Sequence, residues 1–240
     1  MGALDFLFPK RCANCKKIGE YICTNCFAYL SFNENSICLV CNKSAINGLT
    51  HPGCRSRYSI DGSFSSIKYN PIAKKLIYSF KYKPYLSDLH SLLSELFYEG
   101  LIQNEVFAKY LQGAILVPIP LHSSKLRKRG YNQAEILAKG LSLRLGVQPL
   151  NLLARVKNTK IQYNLNREKR IVNMKSAFAL KSNVKGHLPA GKAGMSKVRG
   201  STILLVDDIL TSGSTLLEAA NVLKRAGVKR VFGITLAREQ

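Results

Sequence analysis

Two adjacent acids followed by a run of small hydroxyl residues carry the most specific chemistry in this chain. Asp207 and Asp208 follow the apolar run Ile203–Val206, and Thr211-Ser212-Gly213-Ser214-Thr215 follows them. Neighbouring carboxylates are costly unless cations or hydroxyl donors satisfy them. The diol of a ribose offers two donors, and Mg²⁺ would offset the remaining charge. The small residues after Ile209 and Leu210 let backbone N–H groups converge on one anion. The hydroxyls of Thr211, Ser212, Ser214 and Thr215 add donors, and a helix starting near Thr215 turns its positive end toward the same point. The combination suits a ribose 5-phosphate group, with the carboxylates on the sugar and the loop on the phosphate. The chain has no GxxxxGK[ST], which argues against a P-loop NTPase, and no GxGxxG after a strand, which argues against a dinucleotide fold.

The second chemical cluster is at the other end. All seven cysteines lie between Cys12 and Cys54. Paired CxxC spacing in a reducing compartment points to metal rather than to disulfides. Cys12, Cys15, Cys23 and Cys26 form one candidate tetrahedral Zn²⁺ set, and Cys38, Cys41, His51 and Cys54 a second. Four protein ligands close such a site, so the role is structural. The spacing leaves open which pairs share a zinc, a crossed arrangement included.

These groups need elements to hold them. Residues 61–69 alternate as a strand. Pro71 opens a helical pattern through IAKKLIYSFKY, a second helix is expected over 87–99, and a third over 104–111. AILVPIP reads as a buried parallel strand ending in a loop, and LHSSKLRKRG as that basic loop. NQAEILAKGLSLRLG is an amphipathic helix stopped by Gly146. LLARVK and 176–180 are short strand candidates, and STILLVDD is the strongest strand. A helix over 215–226, ended by Gly227, and a strand over 230–237 follow. Alternating strands and helices predict an α/β fold with a mostly parallel, doubly wound sheet. The expected domains are a zinc-binding head over 1–57 and an α/β domain over 58–240, with a Gly- and Lys-rich inserted loop at 183–200.

Charge sets the class of partner. The chain has 240 residues, 36 Lys and Arg against 14 Asp and Glu, and a formal net charge of +22. Between Val106 and Val206 there are nineteen Lys and Arg and two acids, Glu135 and Glu168. Such an excess implies an anionic partner. No apolar run is long enough to span a bilayer, and MGALDFLFPKRC has no basic segment ahead of its apolar residues. The myristoylation pattern fails at Phe6. A cytoplasmic protein without a transmembrane segment is expected.

VDDILTSGST resembles the phosphoribosyl pyrophosphate (PRPP) motif of type I phosphoribosyltransferases. The resemblance implies a PRPP-binding stretch of Asp207, Asp208, Ile209, Leu210 and Thr211–Thr215, in which Asp207 and Asp208 are the catalytic pair that contacts the ribose hydroxyls and Thr211–Thr215 bind the 5′-phosphate. VPIPLHSSKLRKRGYNQAEILAKGL, LIYSFKYK before it, and Gln162, Leu165, Arg167, Arg170, Asn173 and Phe178 after it are similar to the ComF family. With the cysteine-rich head this likeness spans nearly the whole chain. It implies a type I phosphoribosyltransferase fold behind consecutive zinc ribbons, and a pyrophosphate-contacting loop that here supplies Lys125, Arg127 and Arg129. Such cations suit a leaving group of high negative charge. It also implies Mg-dependent phosphoribosyl (glycosyl) transfer to an acceptor that the sequence leaves open, and a link to DNA uptake in natural transformation. A non-enzymatic alternative is handling of single-stranded DNA with DNA-uptake proteins. There cations would track phosphates and tyrosines such as Tyr58, Tyr69, Tyr78, Tyr82 and Tyr85 would stack on bases.

Overall fold

The computed structural model describes residues 9–32, 36–82, 88–111, 113–159, 167–181 and 198–239. Tyr85, Gln162, Leu165 and positions 183–197 of the expected inserted loop lie outside the described residues.

Four parallel strands make the central sheet: β1 (Gly62–Lys68), β2 (Ile115–Pro118), β5 (Thr202–Leu210) and β6 (Arg230–Arg238), ordered β1-β6-β5-β2. Between β2 and β5 in sequence, β3 (Leu153–Arg155) and β4 (Phe178–Leu180) form a separate antiparallel pair. The helices are α1 (Thr24–Phe27), α2 (Pro71–Tyr82), α3 (Leu89–Ile102), α4 (Glu105–Leu111), α5 (Ser123–Arg129), α6 (Gln133–Leu145), α7 (Arg167–Met174) and α8 (Ser214–Arg225).

β5 shows why the sheet is covered on both sides. Leu204 and Val206 are buried on one face with Phe232, Ile234, Leu76, Phe97 and Leu137. Ile203 and Leu205 are buried on the other with Val117, Val231, Leu216 and Leu223. A continuous apolar run is what a strand buried on both faces requires. The helices that cover it start and stop where the sequence has caps. Asn70 Oδ1 accepts from Ile72 N at 3.1 Å and Ala73 N at 2.9 Å, with Pro71 at the first helical position of α2. Asn132 caps α6, and Gly146 closes it at φ 65°.

The cysteine-rich head also protects the sheet edge. β1 pairs with β6 on one side. On its other side Phe32 bridges Ile67 and Leu49 bridges Gly62, while Thr50 N donates to Asp61 O at 2.9 Å. An open edge strand is a pairing hazard, and the head removes it.

Three elements differ from expectation. The segment expected as a basic loop after β2 coils into α5, because SSKLRKR has no helix breaker. His122 caps its start, and Gly130 ends it at φ 83°. The helix α7 has no counterpart in the sequence pattern. β5 runs on past the acids, since pairing with β6 continues through Leu210 opposite Arg238, so Asp207 and Asp208 lie in its carboxyl-terminal half.

Candidate functional site

β5 places the two acids and α8 the phosphate loop. Asp207 accepts from Asp208 N at 2.9 Å, so its carboxylate is folded back on the backbone. Burial first, and then the neighbouring charge of Asp208, push Asp207 up to about 7. Asp208 is held differently: Lys81 Nζ, in the last turn of α2, lies 2.8 Å from its Oδ2. The acid pair therefore meets one ammonium and still leaves one carboxyl short of compensation. An oxygen donor set in that condition fits a hard divalent cation or the hydroxyls of a diol.

The loop after β5 turns sharply. Gly213 adopts φ 75°, a left-handed conformation favoured by glycine, and is the N-cap of α8. As a glycine, the N-cap offers the first turn of α8 no side-chain acceptor. Ser214 N reaches only the Ser212 hydroxyl at 3.4 Å, and that hydroxyl lies 2.9 Å from Ser214 Oγ. Such an N-terminus presents N–H donors and a positive dipole end. Beside it opens a cavity of about 340 Å³ lined in part by Arg167, Arg170, Arg238, Thr211 and Ser212. Burial holds Arg238 below the usual guanidinium range.

A second group of cations lies on the β2 side. Lys125 and Arg129, one helical turn apart on α5, are half-buried, whereas Arg127 and Lys128 are exposed. Lys125 Nζ donates to Thr159 O at 3.1 Å, and Arg155, on β3, donates to the Thr159 hydroxyl. Burial lowers the Lys125 pKa, and Arg155 and Arg129 lower it further. Burial also lowers Arg155, against the opposing pull of Asp207. Arg129 donates to Gln133 Oε1 at 2.6 Å, with its guanidinium over the Tyr82 ring. Lys125, Arg129 and Arg155 thus crowd together against mutual repulsion, with Asp207 within range.

The head carries two ligand clusters. Cys12, Cys15, Cys23 and Cys26 form one group, and Cys38, Cys41, His51 and Cys54 the other. In each group the ligand atoms all lie within 4.8 Å of one another. Sulfurs at about 2.3 Å from a tetrahedral zinc would lie about 3.8 Å apart, and Cys15 Sγ lies 3.5 Å from Cys23 Sγ. His51 turns Nδ1 toward Cys41 Sγ at 3.4 Å, and its Nε2 is 3.0 Å from Ser44 O. That carbonyl fixes the tautomer that leaves Nδ1 free to ligate. Burial, then the hydrogen bonds and charges of Cys41 and Cys38, push Cys54 up to about 11. Both sets fit structural zinc, in the consecutive arrangement.

Comparison with known proteins agrees with both halves. Residues 3–55 match the double zinc ribbon domain, and residues 127–240 match the phosphoribosyl transferase domain. Competence protein F of Haemophilus influenzae is 28% identical over 234 residues, covering 91% of this chain and 97% of that protein. Competence protein ComFC of Bacillus subtilis is 28% identical over 92% of this chain and 86% of its own length. The DNA utilization protein YhgH of Escherichia coli is 32% identical over 68% of this chain and 66% of its own length. The chain belongs to the ComF family. It combines a double zinc ribbon with a phosphoribosyltransferase domain on a parallel α/β sheet.

Within this ComF chain the structure brings Asp207, Asp208 and Thr211–Thr215 together at one end of β5, and sets Lys125 and Arg129 on one side of α5. Arg127 stands on the exposed side. Ile209 and Leu210 continue β5, with Leu210 buried in the core. Sequence reasoning missed Lys81 and Arg155 as site residues. Arg155 carried a signal, a cation inside the apolar run LLARVK. Lys81 lies in LIYSFKYK, which carried the family resemblance, but its own pattern is no different from that of the exposed Lys74 and Lys75.

Proposed function

We propose that this ComF-family chain binds PRPP with Mg²⁺ and transfers its phosphoribosyl group to a nucleophile. The observation that carries this reading is the Asp207–Asp208 pair running into the glycine-capped N-terminus of α8, with half-buried Lys125, Arg129 and Arg155 nearby. Asp207 and Asp208 accept from the ribose hydroxyls and supply oxygen ligands for Mg²⁺, which when bound neutralises pyrophosphate charge. The amides and hydroxyls of Thr211–Thr215 hold the 5′-phosphate. Lys125 and Arg129 serve the pyrophosphate, joined by Arg155, with Arg127 further out on the exposed side of α5. In the transfer, the bond from the anomeric carbon to the pyrophosphate oxygen breaks as a bond to the acceptor forms. Pyrophosphate departs with the electron pair, into cations already in place. Without ligand, Lys81 occupies Asp208. Titration calorimetry with PRPP, with and without Mg²⁺, tests the assignment. Heat of binding lost in the Asp207→Asn, Asp208→Asn double variant is expected, and unchanged affinity there would refute it.

A second reading is handling of single-stranded DNA in competence and DNA utilization, the roles named for the relatives. It is favoured by a groove of about 970 Å³ lined in part by Lys16, Lys68, Lys74, Lys75, Tyr69 and Tyr78. Tyr78 is exposed, with its ring tilted against that of Tyr82 and the centroids 4.7 Å apart. Cations that follow phosphates and rings that stack on bases are the elements of sequence-tolerant strand binding.

A further inference from the structure

The second metal cluster is joined to the phosphate loop. Leu39 lies between Cys38 and Cys41, in the turn that a zinc ion on those two sulfurs would fix. Asn42 N closes that turn on Cys38 O at 2.8 Å, and Cys38 N donates to Lys43 O at 2.9 Å. The Leu39 side chain does not stay within the ribbon. It is 1% exposed and belongs to the core cluster of Leu210, Leu216 and Ile60, which flank the loop and underlie the sheet. A Cβ placed on Gly213 would lie 3.0 Å from Leu39 Cδ2 and 3.7 Å from Leu210 Cδ1. Leu39 therefore fills the space behind the residue that makes the loop turn. The other end of the knuckle is pinned too. Arg167, at the start of α7, donates from one guanidinium nitrogen to Leu39 O and to Val40 O, the latter at 3.3 Å. Among the described residues the first metal cluster shows no such link. Cys12 and Cys26 pack into the core on the opposite face of the sheet, with α2 and α3.

We infer that Leu39 is a positioning residue for the phosphate loop, and that metal in the second ribbon sets how well that loop is formed. The left-handed Gly213 has no side chain of its own to hold it, and close packing behind it is what keeps the Thr211–Thr215 amides convergent. Misplacing such donors by an ångström costs binding steeply. The second zinc is then structural in chemistry but coupled to ligand affinity, whereas the first zinc braces the head against α2 and α3 on the other face of the sheet. The affinity half of this inference rests on the reading that the loop binds a 5′-phosphate. The bracing half does not.

Hydrogen–deuterium exchange of the ligand-free chain tests the bracing directly. Leu39→Ala should retain both zincs, raise exchange in the peptide spanning Asp207–Leu217, and weaken PRPP binding about tenfold. Leu39→Met should restore both readouts. Cys41→Ser, which empties the second site, should loosen the loop as Leu39→Ala does. Cys15→Ser, at the first site, should lose one zinc and leave loop exchange at the wild-type level. Wild-type exchange in Leu39→Ala with both zincs bound, or equal loosening by Cys15→Ser and Cys41→Ser, would overturn the inference. Failure of the wild-type chain to bind PRPP would count against the proposed function alone, since the exchange comparison needs no ligand.

Discussion

Asp207 holds its proton to about pH 7 because burial and Asp208 both oppose a second negative charge. An unfolded Asp releases its proton near 3.8, so between those values the folded chain binds more protons than the unfolded one. Stability from this group therefore falls as pH rises from about 4 to 7, and the penalty is complete above 7. Asp207→Asn should then stabilise the ligand-free chain at pH 8 by roughly 1–2 kcal/mol, after allowance for solvent screening at a half-buried site. The same substitution should weaken PRPP binding, and that opposition is the mark of a residue kept for a ligand. Denaturant unfolding at pH 5 and pH 8 checks it, with a smaller gain expected at pH 5. Lys81 is the counterpart. Its charge lowers Asp207 and its ammonium grips Asp208. Lys81→Met should raise the Asp207 midpoint further, followed by carboxyl NMR titration, and cost roughly 1–2 kcal/mol, between the surface and buried limits for an ion pair.

At the scale of elements, α5 divides its cations between two sides. Lys125 and Arg129 are half-buried near Arg155, whereas Arg127 and Lys128 are exposed. Replacing Lys125 or Arg129 with alanine should weaken PRPP binding about tenfold each, the worth of a hydrogen bond to a charged group. Replacing Arg127 and Lys128 should have a smaller effect on PRPP. If DNA follows this face, it should flatten the salt dependence of strand binding by about 0.7 for each phosphate no longer neutralised. That division was not legible in the sequence. KLRKR shows five residues of which four are cations, but only the coiling into α5 decides which of them turn inward. The sheet was legible, because ILLVDD and AILVPIP are short, β-branched apolar runs bounded by acids or prolines, the pattern of strands buried on both faces. The acid pair and the TSGST turn were legible because small hydroxyl residues after two acids serve few other purposes. Lys81 and Arg155 were not, since Lys81 reaches Asp208 from α2 and Arg155 acts on Asp207 from β3, placements that only the tertiary fold decides and no local pattern encodes. Leu39 was invisible for the same reason: within the ribbon it is one apolar residue between two ligands, and its approach to Gly213 spans most of the chain.

Across the whole molecule, the head closes the edge of β1, carries two metal clusters and meets the phosphate loop. Metal analysis should return two zincs per chain, and Cys12→Ser should lose one of them and loosen the first ribbon, because structural zinc supplies folding energy. A folded head free of metal would contradict the ribbons. The excess of 22 positive charges should make single-stranded DNA binding fall steeply with salt. Indifference to DNA at low salt would leave that charge to PRPP and other small anions. No helix among the described residues is long and apolar enough to cross a membrane. The central claim is that the end of β5 is a phosphoribosyl site, and calorimetric titration of PRPP in the presence of Mg²⁺ tests it most directly. The structure predicts one site per chain, strengthened by Mg²⁺ and lost when Asp207 and Asp208 both become asparagine. Equal binding by the wild type and that double variant, or no binding by either, would contradict it.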